Sequence, residues 1–315
     1  MRAIFESNTG KFSNKENILS EKTFHFISGL PRSGSTLLSA ILKQNPRFHA
    51  GISSPIAALF SGMLGQVSAG SEWATQVSVP QRRALLRGLF DSYYAEVGNE
   101  LVFDTNRVWT ARLPALLDLY PNAKVIACVR NVGWVMDSIE RLYRANPFEN
   151  SLLFANEAER GTVFARVETL AQRTRLVGLA WSALKEAFYS EQGKSMLVVD
   201  YDLLSQRPQD VIPLIYKFIG EPEFKHDFNA VSMDTPAFDE GLGLTGLHKV
   251  RPEVKFMPRA TILPPDLFEK YAALTFWRDT VGSRANVLMV SPDDTKPPTA
   301  ASPSANPTAV AKARR

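Results

Sequence analysis

Gly29-Leu-Pro-Arg-Ser-Gly-Ser-Thr36 is the stretch of this chain best equipped for chemistry. Gly29 and Gly34 permit backbone conformations that aim N–H groups at one point. Ser33, Ser35 and Thr36 add hydroxyl donors, and Arg32 sets a planar cation among them, a combination suited to an oxyanion. The spacing is that of a phosphate-binding P-loop, except that Ser35 stands where the lysine belongs. P-loops use that lysine on the β/γ-phosphates and a strand-end aspartate on magnesium. Asp104 and Asp200 both end apolar runs and leave magnesium open, or are simple turn residues; Ser35 argues against a nucleoside triphosphate. A second set is Arg130 and Ser138, in VRNVGWVMDSIERLYR. It is either a guanidinium fork and a hydroxyl for another anionic group, or a loop arginine beside a solvent-facing serine.

These residues need elements to hold them. Phe24–Ile27 reads as a strand leading into the loop, and Leu37, Leu38, Ile41 and Leu42 form one stripe of a helix that Pro46 stops. Residues 48–71 read as a loop followed by a helix near Ile56–Phe60. Pro80 opens a helix to about Val97. Leu101–Phe103 is a short strand ending at Asp104, and Thr110 is expected to cap a helix through Leu119. Lys124–Val129 is the clearest buried strand, handing over at Arg130 to a helix over Val132–Arg144. The spacing predicts one long helix across Gly161–Gln192, then a strand at Met196–Val199 and a helix from Pro208 to Gly220, distorted near Pro213. Residues 224–259 lose periodicity, and Pro265–Thr280 regains it. Alternating strand and helix predicts an α/β fold, a central parallel sheet with helices on both faces and ligands beyond the strands' C-terminal ends.

With 315 residues and a net charge of +4, the chain reads as one large unit: a polar lead-in at 1–22, a body at 23–285 and a Pro/Ala/Ser-rich disordered tail at 291–315. Its arginines are dispersed, which argues against nucleic acid as a partner. No apolar run reaches the ~18 residues of a membrane span. The lone Cys128 lies in an apolar strand, which fits a buried thiol in a reducing, cytoplasmic setting. Four scattered histidines and one cysteine give a His/Cys metal site almost no material.

Taken together, GLPRSGSTLL and VRNVGWVMDSIERLYR resemble the motifs of the sulfotransferase family that uses 3′-phosphoadenosine 5′-phosphosulfate (PAPS) and releases 3′-phosphoadenosine 5′-phosphate (PAP). The resemblance runs from Phe24 to Gly220 and includes MLVVDYDLL. Its PRSGST form is more similar to the tyrosylprotein-sulfotransferase-like branch than to the cytosolic phenol/steroid branch. It implies a P-loop-like three-layer fold and sulfuryl transfer to an acceptor hydroxyl on a small molecule, glycan or peptide, with no metal required. It implies that Arg32, Ser33, Gly34, Ser35 and Thr36 hold the 5′-phosphosulfate, that Arg130 and Ser138 hold the 3′-phosphate, and that Tyr201 lies near the nucleotide. Arg32 and Arg107 are then the catalytic cations, Arg107 replacing the family's usual lysine unless it pairs with Asp104.

The chain departs from both branches where a base is needed. Gly51-Ile-Ser-Ser54 lacks the glutamate of one branch, and Asp104-Thr105-Asn106-Arg107 lacks the histidine of the other. Asp104 is the first candidate base, followed by His49 and His248. Lys249, Arg251 and Lys255 make residues 223–260 a candidate lid over the nucleotide, or a solvated basic loop. Two other readings stay open: a P-loop kinase or other transferase on this fold, and a nucleotide-binding protein without catalysis.

Overall fold

The computed structural model describes residues 22–289 except 147 and 150, so the polar lead-in and the tail at 291–315 lie outside the described residues, apart from Lys22. Six strands form one sheet: β1 Thr23–Gly29, β2 Phe48–Ser53, β3 Leu101–Thr105, β4 Val125–Val129, β5 Met196–Asp200 and β6 Asn286–Leu288. Their order is β2-β3-β1-β4-β5-β6, and every pairing is parallel. Residues of β3, β4 and β5 are buried throughout, as expected of strands covered on both faces. The chain leaves β1 toward β2 and returns through β3 before crossing to β4. Strand order therefore reverses beside β1, where α/β sheets open a crevice for ligands.

Strand alternation divides the core. Phe24 and Phe26 of β1 join Phe90, Trp109, Phe188 and Trp277 on one face, whereas Ile27 joins Phe48, Phe103, Ile215 and Tyr216 on the other. The first face is covered by α2 Ile56–Val67, α3 Val79–Tyr93, α4 Leu113–Leu119 and α5 Val132–Ala145, and, beyond the short α6 Glu157–Arg160 that packs on the next helix, by α7 Val163–Ala171 and α8 Leu176–Tyr189. The second carries α1 Ser35–Leu42, α9 Tyr201–Gln206 and α10 Pro208–Ile219. Residues 221–264 are largely irregular around α11 Pro236–Gly241, and α12 Pro265–Ala272 returns to pack on α5. Caps fix several boundaries. Ser78 and Gln81 form a capping box on α3, and Gly220, at φ 79°, ends α10.

Four expectations are corrected. Residues 48–53 form edge strand β2 rather than loop; its mixed sequence FHAGIS is only half buried, so it lacks the apolar run of an inner strand. β6 was likewise not expected, being three residues long. The span Gly161–Gln192 is two helices, because the turn after Ala171 packs against α8. A Cβ on Gly178 would come within 2.2 Å of the Gln172 carbonyl oxygen. Thr110 lies inside a 3-10 turn, Arg107–Arg112, opened by Asn106, whose side chain accepts the Val108 N–H at 3.1 Å. Among the described residues, no helix is long and apolar enough to cross a membrane.

Candidate active site

The glycine loop is pinned to the strand beside it. Gly29 has φ 107°, and a Cβ there would fall 2.1 Å from the Cys128 carbonyl oxygen. The Leu30 N–H donates to that same carbonyl at 2.9 Å. Ser33 is completely buried, and its hydroxyl donates to the carbonyls of Cys128, at 2.8 Å, and Leu30. Its side chain therefore anchors the loop instead of facing a ligand, a correction to its expected role. Gly34 starts α1 at φ 94°, and a Cβ would meet Cδ2 of Tyr201 at 2.7 Å. No side chain caps α1, so its first amides and the hydroxyls of Ser35 and Thr36 stand at the cavity wall as a ready anion site.

Arg32 carries the one positive φ among described non-glycine residues, 58°. Held in that sparsely populated region, its side chain reaches across the loop. Nε donates to the Ser138 hydroxyl at 3.2 Å, and Nη1 donates to the Leu247 carbonyl. Burial, with the nearby Arg130 charge adding to it, lowers the Arg32 pKa to about 10, so it stays a cation at neutral pH. Arg130 stacks on the Tyr201 ring at 4.4 Å, at the end of β4. Its buried Nε has no hydrogen-bond partner, and the nearest carboxylate, Asp202, is 4.0 Å away with its own Oδ1 unsatisfied. The two atoms face one another as a loose ion pair, and Arg130 lines the cavity.

The loop, the strand ends and the irregular segment enclose a cavity of about 590 Å³. Arg32, Arg107 and Arg130 enter it from the sheet, and Lys249, Arg251, Lys255 and Arg259 from residues 242–259; Glu253 is the sole carboxylate among its lining residues. That imbalance favours an anion with several charges. The wall also includes Ile139, Leu142, Leu152, Leu153 and Leu176, an apolar patch contributed by α5, the chain after it and α8. The segment is fastened through Asp137 of α5, which is completely buried. Asp137 accepts from Ile262 N–H at 2.8 Å, Thr261 at 3.0 Å and Arg141 at 2.9 Å, and pairs with Arg259 at 2.7 Å.

Asp104 is not brought to the cavity. In β3 it shares the face of Val102, and its oxygens accept from Ser54 and Tyr94, both at 2.6 Å, and Trp109, at 2.7 Å. The face that opens to the cavity carries Thr105 instead, so Asp104 as base is corrected by strand parity. Arg107 forms no pair with it; it is solvent-accessible and lines the cavity, and desolvation by the protein around it lowers its pKa. His49 lies outside the cavity, edge-on to Tyr94 at 5.4 Å. Asp200 caps α9 through the Asp202 N–H at 2.8 Å, its turn-residue reading, and burial raises its carboxyl to about 6. His248 does line the cavity, with Nδ1 2.6 Å from the buried Asp239. Asp137, Asp239 and Arg259 escaped the sequence reading because they serve contacts between segments far apart in the chain.

A parallel sheet with a glycine loop leading into an uncapped helix, and cations gathered at strand C-terminal ends, is a P-loop-like α/β architecture. Residues 25–226, more than half of the chain, match the profile of the sulfotransferase family. The chain belongs to that family, and its activity is sulfuryl transfer. No curated protein matches it. Solved structures similar to it include the sulfotransferase domain of the olefin synthase from Synechococcus PCC 7002, at 18% identity over 80% of this chain and 94% of that one, TM-score 0.42. A sulfotransferase from Alicyclobacillus acidocaldarius shares 21% identity over 71% and 90%, TM-score 0.44. A mouse sulfotransferase complexed with PAP shares 16% over 84% and 87%, TM-score 0.43.

Proposed function

We propose that the sulfuryl donor is PAPS and that the acceptor is a hydroxyl on a small molecule, glycan or peptide, in the cytoplasm. The observation that carries this reading is that one cavity is lined both by Arg130, at the end of β4, with Ser138 of α5, and by Ser35 and Thr36 at the uncapped start of α1. Two separate anion positions in one cavity suit a nucleotide with phosphates on both sides of its ribose better than a triphosphate chain. PAPS would supply a sulfuryl group on a good leaving phosphate. The amides at the start of α1, with Ser35 and Thr36, would hold its 5′ end, and Arg130 and Ser138 its 3′-phosphate. Tyr201 would support both, since it packs under Arg130 and against Gly34. Lys249 and Arg251 would close over the nucleotide, making residues 223–260 a lid. Arg107 and Arg32 would offset charge on the leaving oxygen, Arg32 after exchanging its Leu247 contact for the ligand. The leucine patch fits an acceptor with an apolar body.

Isothermal titration of PAP and adenosine 5′-phosphosulfate tests the assignment. Arg130→Ala should weaken PAP by about 100-fold, the loss of a buried charge-assisted contact, and adenosine 5′-phosphosulfate only a few-fold. Equal losses would remove Arg130 from the 3′-phosphate. Preference for MgATP over PAP would turn the reading to the kinase alternative.

A further inference from the structure

One titratable pair in the cavity wall has no part in donor binding. Oδ1 of Asp239 lies 2.6 Å from His248 Nδ1, and Oδ2 accepts the His248 backbone N–H at 2.9 Å. Asp239 is completely buried, and the His248 side chain is 13% exposed. A carboxylate that takes both N–H groups of one residue fixes the ring's rotation and its tautomer. The proton sits on Nδ1 and the lone pair on Nε2. Nε2 has no partner among the described residues and is the ring nitrogen left for the cavity.

The charged groups around this ring come from four places. Asp239 faces it from α11, Arg32 from the glycine loop, and Arg107 from the turn after β3; Lys249 and Arg251 follow it on its own segment. The imidazole therefore stands beside the two cations assigned to the leaving oxygen. Burial lowers its pKa, Asp239 works the other way, and Arg32 and Arg107 lower it further, so the neutral, proton-accepting form prevails at neutral pH.

We propose that His248, oriented by Asp239, is the general base that takes the proton of the acceptor hydroxyl. This rests on the PAPS reading. The acceptor oxygen bonds to sulfur while the bond from sulfur to the phosphate oxygen breaks. That electron pair stays on the phosphate oxygen of PAP, and the hydroxyl proton passes to Nε2. The resulting imidazolium is stabilised by the Asp239 carboxylate through Nδ1. The base thus arrives with the segment that covers the cavity, where both branch patterns place theirs on or near the sheet.

The test uses the full chain with PAPS and three probe acceptors of falling acidity: 4-nitrophenol, 2-naphthol and 2-phenylethanol. PAP binding is measured in parallel, and the four imidazoles are titrated by NMR with PAP bound. In the wild type, kcat should rise with pH through one ionisation that matches the NMR pKa of His248, with the Nδ1-protonated tautomer. His248→Gln should lose about 10² to 10⁴-fold on the weakly acidic acceptors and far less on 4-nitrophenol, which needs no base. Asp239→Asn removes a group that raises the pKa, so the acid limb and the NMR pKa should move together to lower pH. Purely structural residues would lower kcat without moving that limb. If His248→Gln fails to fold, the Asp239→Asn shift and the wild-type tautomer still decide. Equal losses on all acceptors, an unmoved limb, an Nε2-protonated ring, or PAP binding with no transfer to any acceptor overturns the proposal. Failure to bind PAP overturns the donor reading instead.

Discussion

Asp104 and Asp239 are both completely buried carboxylates, one on the sheet and one on the segment that covers it, and their partners differ in kind. Asp104 accepts from a serine, a tyrosine and a tryptophan, none of which faces the cavity. Asp239 accepts from the main chain and ring of His248, which does. Burial is the same, so burial alone says nothing about role. What separates them is whether the hydrogen-bond chain reaches the cavity within one residue. Asp104 ties β3 to Ser54 ahead of α2, to Tyr94 at the end of α3 and to Trp109 in its own following turn. Asp239 sets the orientation of one ring.

The widest expected contrast is in stability. Asp104→Ala leaves two buried donors, Tyr94 and Trp109, and the half-buried Ser54 without this acceptor and should cost about 3 kcal/mol in urea unfolding, while whatever folds should bind PAP normally. Asp239→Asn should cost much less and act on the pH profile. Burial pushes the Asp104 carboxyl up, although Ser54, Tyr94 and Trp109 pull it back. A raised folded pKa means that its contribution is full below the ordinary carboxylate range and declines as pH rises through the folded value. Asp104→Asn should therefore flatten that decline. A PAP-binding defect in folded Asp104→Ala protein would erase the distinction between the two carboxylates.

The sheet side of the site was legible in the sequence, and the covering side largely was not. Gly29, Gly34 and the run Lys124–Val129 advertise themselves because local backbone geometry and two-sided burial each leave a pattern within a few residues. Arg130 and Ser138 follow, since a strand end and a helical spacing fix where they point. Asp104 misled because a strand-terminal aspartate looks the same on either face; only the parity with Val102, together with knowledge of which face opens, resolves it. Between Leu242 and Arg259 there is no period to read. Its shape comes from long-range bonds such as Val231 N–H to the Pro252 carbonyl at 2.9 Å and Val250 N–H to that of Met233 at 3.1 Å. The Asp239–His248 pair, nine residues apart across a turn, leaves no local signature.

Asp137 offers an intermediate case, a third buried carboxylate whose bonds reach the covering segment without touching its histidine. Burial alone would raise its carboxyl, but the bonds from Ile262 and Arg141 and the Arg259 charge hold it below the usual range. Its contribution is present above that range and lost as pH falls through the folded value, the opposite sign to Asp104. Asp137→Asn should release the end of the segment at a cost of about 1–2 kcal/mol. Hydrogen exchange at Ile262 should quicken and PAP should dissociate faster, with the kcat acid limb in place. Movement of that limb would mean that Asp137, too, acts on His248.

His49→Gln should have the smallest effect and the cleanest reading. The ring is half-buried against Tyr94, and its pKa is lowered by burial and by Lys43, with Asp104 opposing. It therefore resembles His248 in being a neutral imidazole beside a buried aspartate. It differs in that its neighbour Asp104 is already engaged by three other donors and no part of it lines the cavity. The substitution should change stability by under about 1 kcal/mol, a lost ring contact, and leave both PAP affinity and the kcat pH profile unchanged. If the acid limb instead disappeared in His49→Gln and survived in His248→Gln, the base would belong to the sheet. Orientation by an aspartate would then not be what distinguishes the working histidine.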